Sequence, residues 1–268
     1  MGDTVMPTPT FSQWRTLTQP APGLPRHSLR ERQLAAWATY LTGTNPDGSS
    51  RATGLLPPPP VSGYTAWYDS TRVTTAGVIS SWADSSGNNN TLTPSATGPT
   101  LVSAGINFLP TLSFTNNRMQ VLSALTGASA FTVFAVAQSN ETNPAVSRWL
   151  VEVGNQYGGA QVTGRFDFVM RGVADLQGGP MSSTPHVWEM DGTIPGTATA
   201  TLRIDNIQTA TGSGVMHAQG AVTYVGDVDD FSGPWVGLIG EVIFYNTQLS
   251  PANINSVYQY LKAKWGTP

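Results

Sequence analysis

Residues 238–266 read LIGEVIFYNTQLSPANINSVYQYLKAKWG, a strand, a turn and one helix in succession. The strand is predicted by the β-branched and aromatic run 241–245. Ser250 can cap the helix, and Pro251 suits its first position because no N–H donor is needed there. Apolar residues follow at helical spacing: Ile254, Val257, Tyr258 and Leu261. A single helix ending at Gly266 therefore closes the sequence, with Lys262 and Lys264 in its last turn, where the helix dipole favours cations.

The region between residues 64 and 248 shows short apolar or alternating runs separated by turn residues, without a helical period. The runs predict strands at Thr65–Tyr68, Val78–Trp82, Thr111–Phe114, Phe131–Gln138, Arg148–Val153, Arg165–Arg171, His186–Met190, Ala200–Ile204, Ala221–Val225 and Leu238–Tyr245. Turns are predicted at Asp84–Asn90, Gln156–Gly159, Gly178–Pro180 and Asp191–Gly192. Strands at this spacing predict an all-β sandwich or barrel.

Residues 1–60 differ from the rest and predict an extended, proline-rich arm with one helix. Ser28 and Glu31 have capping-box spacing, which predicts a helix over about 29–41. Such a short helix between proline-rich segments cannot build its own core. It packs on the main domain, docks on another subunit or is disordered, and the sequence leaves these alternatives open. The candidate subunit-anchoring residues are Trp14, Leu34, Trp37 and Leu41, and the boundary with the main domain is placed at residues 60/61.

Composition excludes several classes of function. The 268 residues include no cysteine, which excludes disulfides and thiolate metal sites. The net charge of −3 argues against a nucleic-acid partner, and no apolar run approaches the ~20 residues of a membrane span. The start, Met1–Pro7, has neither a basic segment nor an apolar segment typical of a signal peptide. We therefore expect a protein that is made in a cytosol and does not leave it by the ordinary secretory route.

Several motifs resemble, in order, those of concanavalin A-like, LamG-type jelly-roll domains. They are Ala66–Asp69, Val78–Asn88 with its W-x-D-x-S-G-N pattern, Leu109–Phe114, Phe131–Val136, His186–Gly192 and the closing strand and helix. The resemblance implies two antiparallel sheets of six or seven strands packed face to face over residues 61–268. Domains of this kind mostly bind glycans or proteins or are structural, and some relatives are glucanases, so the fold alone does not define the function.

A glucanase of this fold would need clustered carboxylates on one strand face. Glu189 and Asp191 have the required i, i+2 spacing, but Thr193 and Ile194 stand where a third acid should follow. Asp191 is also expected in a hairpin turn. For Glu241, in the closing strand, a structural hydrogen-bonding role is predicted. No nucleophile motif and no phosphate-binding loop occurs, and the sequence predicts no catalytic residue.

Two loops offer oxygen ligands that suit Ca²⁺. One contains Asp227, Asp229 and Asp230, and the other contains Asp84, Asn88 and Asn90. Aspartate-rich loops are also common as solvated turns, so the prediction is no cofactor, with calcium as the alternative. The histidines lack metal-binding spacing, and His186 is expected to orient its hairpin through a hydrogen bond.

Aromatic residues in loops are candidates for glycan binding. Trp235 precedes the closing strand, and Tyr157 lies between glycine-rich segments, so either is predicted as an exposed platform. The strand tryptophans Trp67, Trp82, Trp149 and Trp188 are predicted in the core, and Trp265 is predicted to hold the final helix against the sandwich.

Taken together, these features favour a non-enzymatic virion protein of a bacteriophage, with a tail, baseplate, fibre or capsid-decoration role. Residues 1–60 would anchor it to other virion subunits, and the sandwich would face outward as a homo-oligomer, with cell-surface glycans as possible ligands. The alternatives are a bacterial carbohydrate-binding or adhesion module and a glucanase-type glycoside hydrolase.

Overall fold

The computed structural model describes residues 56–122, 128–143, 145–153, 157–162, 165–170, 174–180, 183–193, 197–215, 222–228 and 233–268. Their strands pair antiparallel into two sheets, and one helix follows the last strand. This confirms the predicted all-β sandwich with a C-terminal helix. Within this part of the chain, no helix is both long and apolar enough to cross a membrane.

The described residues contain sixteen strands, and neighbours in the sequence are often not neighbours in a sheet. The nine-stranded sheet has the order β14-β13-β12-β7-β16-β5-β4-β2, and β1 pairs with β16 as well. The seven-stranded sheet has the order β11-β10-β9-β8-β15-β6-β3. The strands are β1 (Ala66–Asp69), β2 (Gly77–Val78), β3 (Thr93–Pro94), β4 (Thr100–Val102), β5 (Thr111–Phe114), β6 (Met119–Leu122), β7 (Ala130–Ser139), β8 (Arg148–Val153), β9 (Tyr157–Val162), β10 (Arg165–Met170), β11 (Ala174–Pro180), β12 (His186–Thr193), β13 (Thr197–Ile204), β14 (Ile207–Val215), β15 (Val222–Val225) and β16 (Gly237–Tyr245).

The main core fills the space between the two sheets. Strand side chains alternate between faces, so Val133 and Ala135 of β7 point into this core while Phe134 and Val136 point to the opposite face. That opposite face is also buried, which explains why β7 is a nearly continuous apolar run.

The C-terminal helix, Pro251–Trp265, covers the outer face of the nine-stranded sheet. It begins as predicted, because the Ser250 side chain accepts a hydrogen bond from the Asn253 amide at 3.3 Å. It ends at Gly266, whose φ of 66° is left-handed, a conformation that favours glycine. Ile254, Val257 and Leu261 pack in a second apolar cluster with Phe134 and Val136.

Three turn predictions are wrong, and glycine caused each of them. Tyr157–Gly159 lies in β9, Gly178–Pro180 in β11, and Asp191–Gly192 in β12. At Gly192 the reason is steric: a Cβ there would lie 2.3 Å from the Thr199 carbonyl oxygen of the paired strand. Close backbone approach therefore requires glycine inside this strand.

Two other predictions differ from the structure or lie outside it. The strand predicted over Val78–Trp82 is short, since β2 ends at Val78 and Trp82 forms an isolated bridge with Leu92. The arm, its helix over about 29–41 and the residues Trp14, Leu34, Trp37 and Leu41 lie outside the described residues.

Candidate functional site

The outer face of the seven-stranded sheet collects aromatic and polar side chains from several strands. Residues that alternate with core residues, or that pair with such residues in register, define this face. On β6 and β15, Gln120 and Tyr224 are next to the core residues Met119 and Val225. The term "outer face" below means the surface formed by Arg118, Gln120, Trp149, Glu152, Arg165, Asp167, Gln177 and Tyr224.

One row of the outer face runs across three paired strands. Gln120, Tyr224 and Glu152 are direct neighbours in register on β6, β15 and β8. Neighbouring strands lie about 4.8 Å apart, so Gln120 and Tyr224 are close enough to contact one molecule together. Gln120 and Tyr224 are half-buried, whereas Glu152 is buried.

The Tyr224 ring is held by an arginine. The Arg118 guanidinium carbon lies 4.7 Å from the ring centroid, within the range of a cation–π interaction. Arg118 is itself fixed, because its Nε donates to Ser95 Oγ at 3.2 Å and its Nη1 donates to the Val228 carbonyl. The ring is therefore oriented before any ligand arrives, which lowers the entropy lost on binding.

A second row crosses β8, β9 and β10. Trp149 pairs with Ala160, and Ala160 pairs with Asp167. Trp149 is half-buried and belongs to neither apolar cluster, so its predicted place in the core is wrong. Its amide donates to the Gly233 carbonyl at 2.7 Å, which fixes the backbone of β8 at this point.

Strand β9 contributes Gly158 and Ala160 to the surface between Glu152 on β8 and Asp167 on β10. Gly158 is in register with Glu152, and Ala160 is in register with Asp167. Asp167 is buried and accepts hydrogen bonds from Arg165 Nη2 at 3.2 Å and from the Gly178 amide at 3.3 Å. Trp149 on β8 and Tyr224 on the neighbouring β15 thus lie on the same side of β9, close to the amide of Gln120 and the guanidinium of Arg118. Such a surface suits a ligand with apolar C–H faces and a polar rim.

The predicted acid pair lies on the opposite side of the molecule. Glu189 and Asp191 share the outward face of β12 with Val187, which belongs to the cluster under the C-terminal helix. Both acids are buried, and both accept from Nη1 of Arg203 on β13; the contact to Glu189 Oε2 is 2.6 Å. Gln248 Nε2 donates to Asp191 Oδ2 at 2.6 Å.

Electrostatics indicate that this pair holds a proton. Burial and the negative charge of Asp191 raise the pKa of Glu189 well above its usual value, and Arg203 opposes the shift without cancelling it. A neutral Glu189 removes the repulsion between its own charge and that of a carboxylate at Asp191. The arrangement is therefore a structural link between β12, β13 and the turn before the helix, enclosed away from bulk solvent.

A third polar cluster joins the first strand to the last helix. Lys264 Nζ contacts Asp69 Oδ2 at 2.7 Å and Glu241 Oε2 at 2.8 Å, and all three side chains are buried. Burial raises the pKa of Glu241. Burial also opposes ionisation of Asp69, but the Lys264 charge together with hydrogen bonds from Lys264 and Thr71 lowers the pKa of that group. Glu241 also accepts from the indoles of Trp67 and Trp265, at 2.7 Å and 2.8 Å. The predicted structural role of Glu241 is confirmed.

The two predicted aromatic platforms have different outcomes. Trp235 is fully buried and stacks edge-to-face on Trp188, with ring centroids 6.0 Å apart, so its prediction as an exposed platform is wrong. The glycine-rich context suggested a loop tip, but Gly233 and Gly237 instead allow the chain to pass close to neighbouring backbone. Tyr157 begins β9, and its side chain lies outside the described part of the structure.

The predicted calcium ligands are only partly described. Asp227 is buried, and its Oδ1 accepts from the Gly233 amide at 3.1 Å, whereas Asp229 and Asp230 lie outside the described residues. In the other loop, the Asp84 oxygens accept from the amides of Trp67, Ser86 and Asn90. Among the residues that the structure describes, no group of three or more His, Asp or Glu side chains could hold a metal ion.

His186 orients a hairpin through a carboxylate. Its Nδ1 lies 2.6 Å from Asp205 Oδ2, and Asp205 Oδ1 accepts from the Val187 amide at 3.0 Å. Asp205 and Asn206 form the turn between β13 and β14, both with positive φ. The expected hydrogen-bonding role is confirmed, although the hairpin is the one after β13.

Comparison with known proteins supports the fold. No protein-family model matches the sequence, and no curated protein matches it. Among solved structures, a Trypanosoma rangeli sialidase in complex with a difluoro-nononic acid is similar, with 14% identity, a TM-score of 0.57 and coverage of 85% of this chain and 38% of the sialidase. The binding domain of botulinum neurotoxin serotype D is similar, with 12% identity, a TM-score of 0.58 and coverage of 77% and 55%.

The receptor-binding domain of the neurotoxin mosaic serotype C/D gives 11% identity, a TM-score of 0.59 and coverage of 77% of this chain and 54% of that chain. This chain thus spans between about a third and about half of the length of these proteins. At such low identity the likeness shows the β-sandwich fold and no more than the fold.

Proposed function

We propose that the protein is a non-catalytic, glycan-binding β-sandwich module, with the outer face of the seven-stranded sheet as its binding surface. The observation that carries this proposal is the register that places the half-buried rings of Trp149 and Tyr224 on the adjacent strands β8 and β15, with Gln120 next to Tyr224 on β6. A sugar ring has an apolar face of C–H groups and a rim of hydroxyls. Aromatic rings bind the first, and amide or charged side chains bind the second.

The similar proteins are consistent with this choice. Two are neurotoxin domains described as binding or receptor-binding domains, and the third is a sialidase crystallised with a nine-carbon sugar acid derivative. We extend the binding role of the neurotoxin domains to this chain.

The test is binding of the full chain to a glycan array, followed by calorimetry with the best glycan. Trp149→Ala and Tyr224→Ala should each weaken binding at least about tenfold, or about 1.4 kcal/mol. The matched control is Phe108→Ala, because Phe108 is 61% exposed and lies beside Asn107, which contacts the end of the C-terminal helix. Circular dichroism verifies that each variant folds. Absence of binding, or an equal loss in the control, would contradict the proposal.

A hydrolase remains the competing chemistry, and the geometry disfavours its predicted site. Glu189 and Asp191 are each 2% exposed and are held by Arg203 and Gln248, so a polymeric substrate cannot reach them without opening the fold. An assay for released reducing ends with the glycans bound on the array tests this choice. Release of reducing ends by the wild type, together with its loss in Glu189→Gln, would favour a hydrolase over a binding module.

In its finer form the proposal places this module in a virion, where residues 1–60 anchor it to neighbouring subunits. The support is the cysteine-free, lysine-poor composition and the proline-rich segment with Trp14 and Trp37 before the sandwich. A chain beginning at residue 61 should fold and bind the same glycans as the full chain but fail to join particles. Normal incorporation of the shortened chain would refute the anchor.

A further inference from the structure

Strand β14 ends the nine-stranded sheet with an exposed edge. Among the strands that the structure describes, β14 pairs only with β13, to which the two-residue turn at Asp205 and Asn206 connects it. The residues 207–209, 211 and 213 are exposed, and Ile207 is 68% exposed. The outer edge of β14 therefore presents backbone N–H and C=O groups that another strand could pair with.

This edge lacks the usual protection against pairing. The sequence IQTATGSGV contains no charged residue and no proline, the two devices that most often block an edge strand. A bulge interrupts the ladder between Leu202 and Arg203, near the turn, but the pairing is regular from Ala210 to Val215. A regular, uncharged stretch of six residues thus remains at the edge.

We propose that β14 pairs antiparallel with β14 of a second copy of this chain, across a two-fold axis near Gly212. The lack of charge favours a second copy as the occupant, because self-pairing then sets no like charges opposite each other. With the two-fold axis perpendicular to the sheet, the C-terminal helices of both copies lie on the same side of the dimer. The two nine-stranded sheets then form one continuous sheet.

The side chains at the junction are small and polar. Thr211 and Ser213 pair with Thr201 and Thr199, on the face opposite to the core residues Ala200 and Leu202. Across the two-fold axis they face Thr211 or Ser213 of the second copy. Such hydroxyl pairs pack without steric conflict and form hydrogen bonds in a strand pair.

The dimer has a consequence for recognition, which rests on the proposed function. Both outer faces of the seven-stranded sheets point in the same direction, away from both C-terminal helices. Two weak glycan sites on one rigid dimer can then engage one surface together, and the second binding event becomes intramolecular.

Cysteine scanning tests the pairing directly, because the chain contains no cysteine of its own. Opposite residues in an antiparallel pair lie about 4.5–5.5 Å apart, within the range that a disulfide needs. Under mild oxidation, Thr211→Cys, Ser213→Cys or an equimolar mixture of the two should give a covalent dimer, according to the register. Thr93→Cys, on the edge strand β3 of the other sheet, is the matched control and should stay monomeric.

Size measurement supplies a second test that needs no oxidation. Light scattering on the full chain should give about twice the 28.4 kDa of one chain, and Thr211→Lys with Ser213→Lys should return it to one chain. Thr93→Lys should leave the dimer intact. A monomeric wild type, a dimer that persists in the lysine variant, or cysteines that never cross-link to a second copy would each overturn the proposal. Because these readouts involve no glycan, they fail or succeed independently of the proposed function.

Discussion

The substitution Glu189→Gln should make the protein more stable relative to wild type as the pH rises. Glutamine has the shape of a protonated glutamic acid: its carbonyl can accept from Arg203, and its amide can donate to Asp191. Wild-type Glu189, in contrast, must keep its proton in the folded state while it loses that proton readily in the unfolded state.

The magnitude follows from proton linkage. The folded-state pKa of Glu189 is raised above its ordinary value of 4.5, so the folded state binds more protons than the unfolded state above about that pH. Wild-type stability therefore falls by up to about 1.4 kcal/mol for each pH unit, until the pH reaches the folded-state pKa. The variant should therefore gain up to about 1.4 kcal/mol relative to wild type for each pH unit above about pH 5 over which Glu189 stays protonated in the folded state.

Urea unfolding of both proteins across this pH range measures the difference. Glu141→Gln is the matched control, because hydrogen bonds to the Asn143 amide and to Arg148 lower the pKa of Glu141. That carboxylate is ionised in both states above about pH 5, so its substitution should cost a constant amount in this range. A constant difference for Glu189→Gln as well, or a difference that shrinks with pH, would refute a neutral Glu189.

Three further stability measurements, each by chemical denaturation, test other contacts. Lys264→Met should cost about 3–5 kcal/mol, because it removes the buried cation that two buried carboxyl groups share, and a loss under about 1 kcal/mol would show that the cluster relaxes. Trp235→Ala should cost about 3–5 kcal/mol by opening a cavity beside Trp188, and the folded fraction should retain its glycan affinity. Ser250→Ala should cost about 1 kcal/mol through loss of the helix cap, whereas Ser250→Asp should cost much less.

The sequence predicted those elements whose local pattern agrees with their final environment. Nine of the ten predicted strands occur, the one over Val78–Trp82 is reduced to β2 and an isolated bridge, and the closing helix has its predicted start and end. Strands β9, β11 and β14 were missed because they are rich in glycine or in small polar residues. Their pairing partners stabilise them as strands, and their own residues carry little apolar periodicity.

The candidate site could not be assembled from the sequence, since strand register decides it. Trp149 and Asp167 lie in one row because both pair with Ala160, from the strands on either side of β9. The sequence around Trp149 and Asp167 does not predict this register. One part of the site could have been predicted from the sequence. Gln120 and Tyr224 each stand next to an apolar core residue, Met119 or Val225, so alternation along a strand predicts that their side chains face outward. The glycine and proline residues around Trp235 instead predicted an exposed loop with Trp235 as a binding residue, but the sandwich buries this side chain.

The position of β16 at the centre of the nine-stranded sheet has a consequence for biosynthesis. This strand pairs with β1, β5 and β7, yet it is the last of the described strands to be synthesised. A nascent chain that ends before Gly237 already contains these three partner strands, but the backbone groups that pair with β16 are still unpaired. The sandwich can therefore complete this sheet only after residues 237–245 have been synthesised, and a stalled or truncated product would expose the edges of β5 and β7 to other chains.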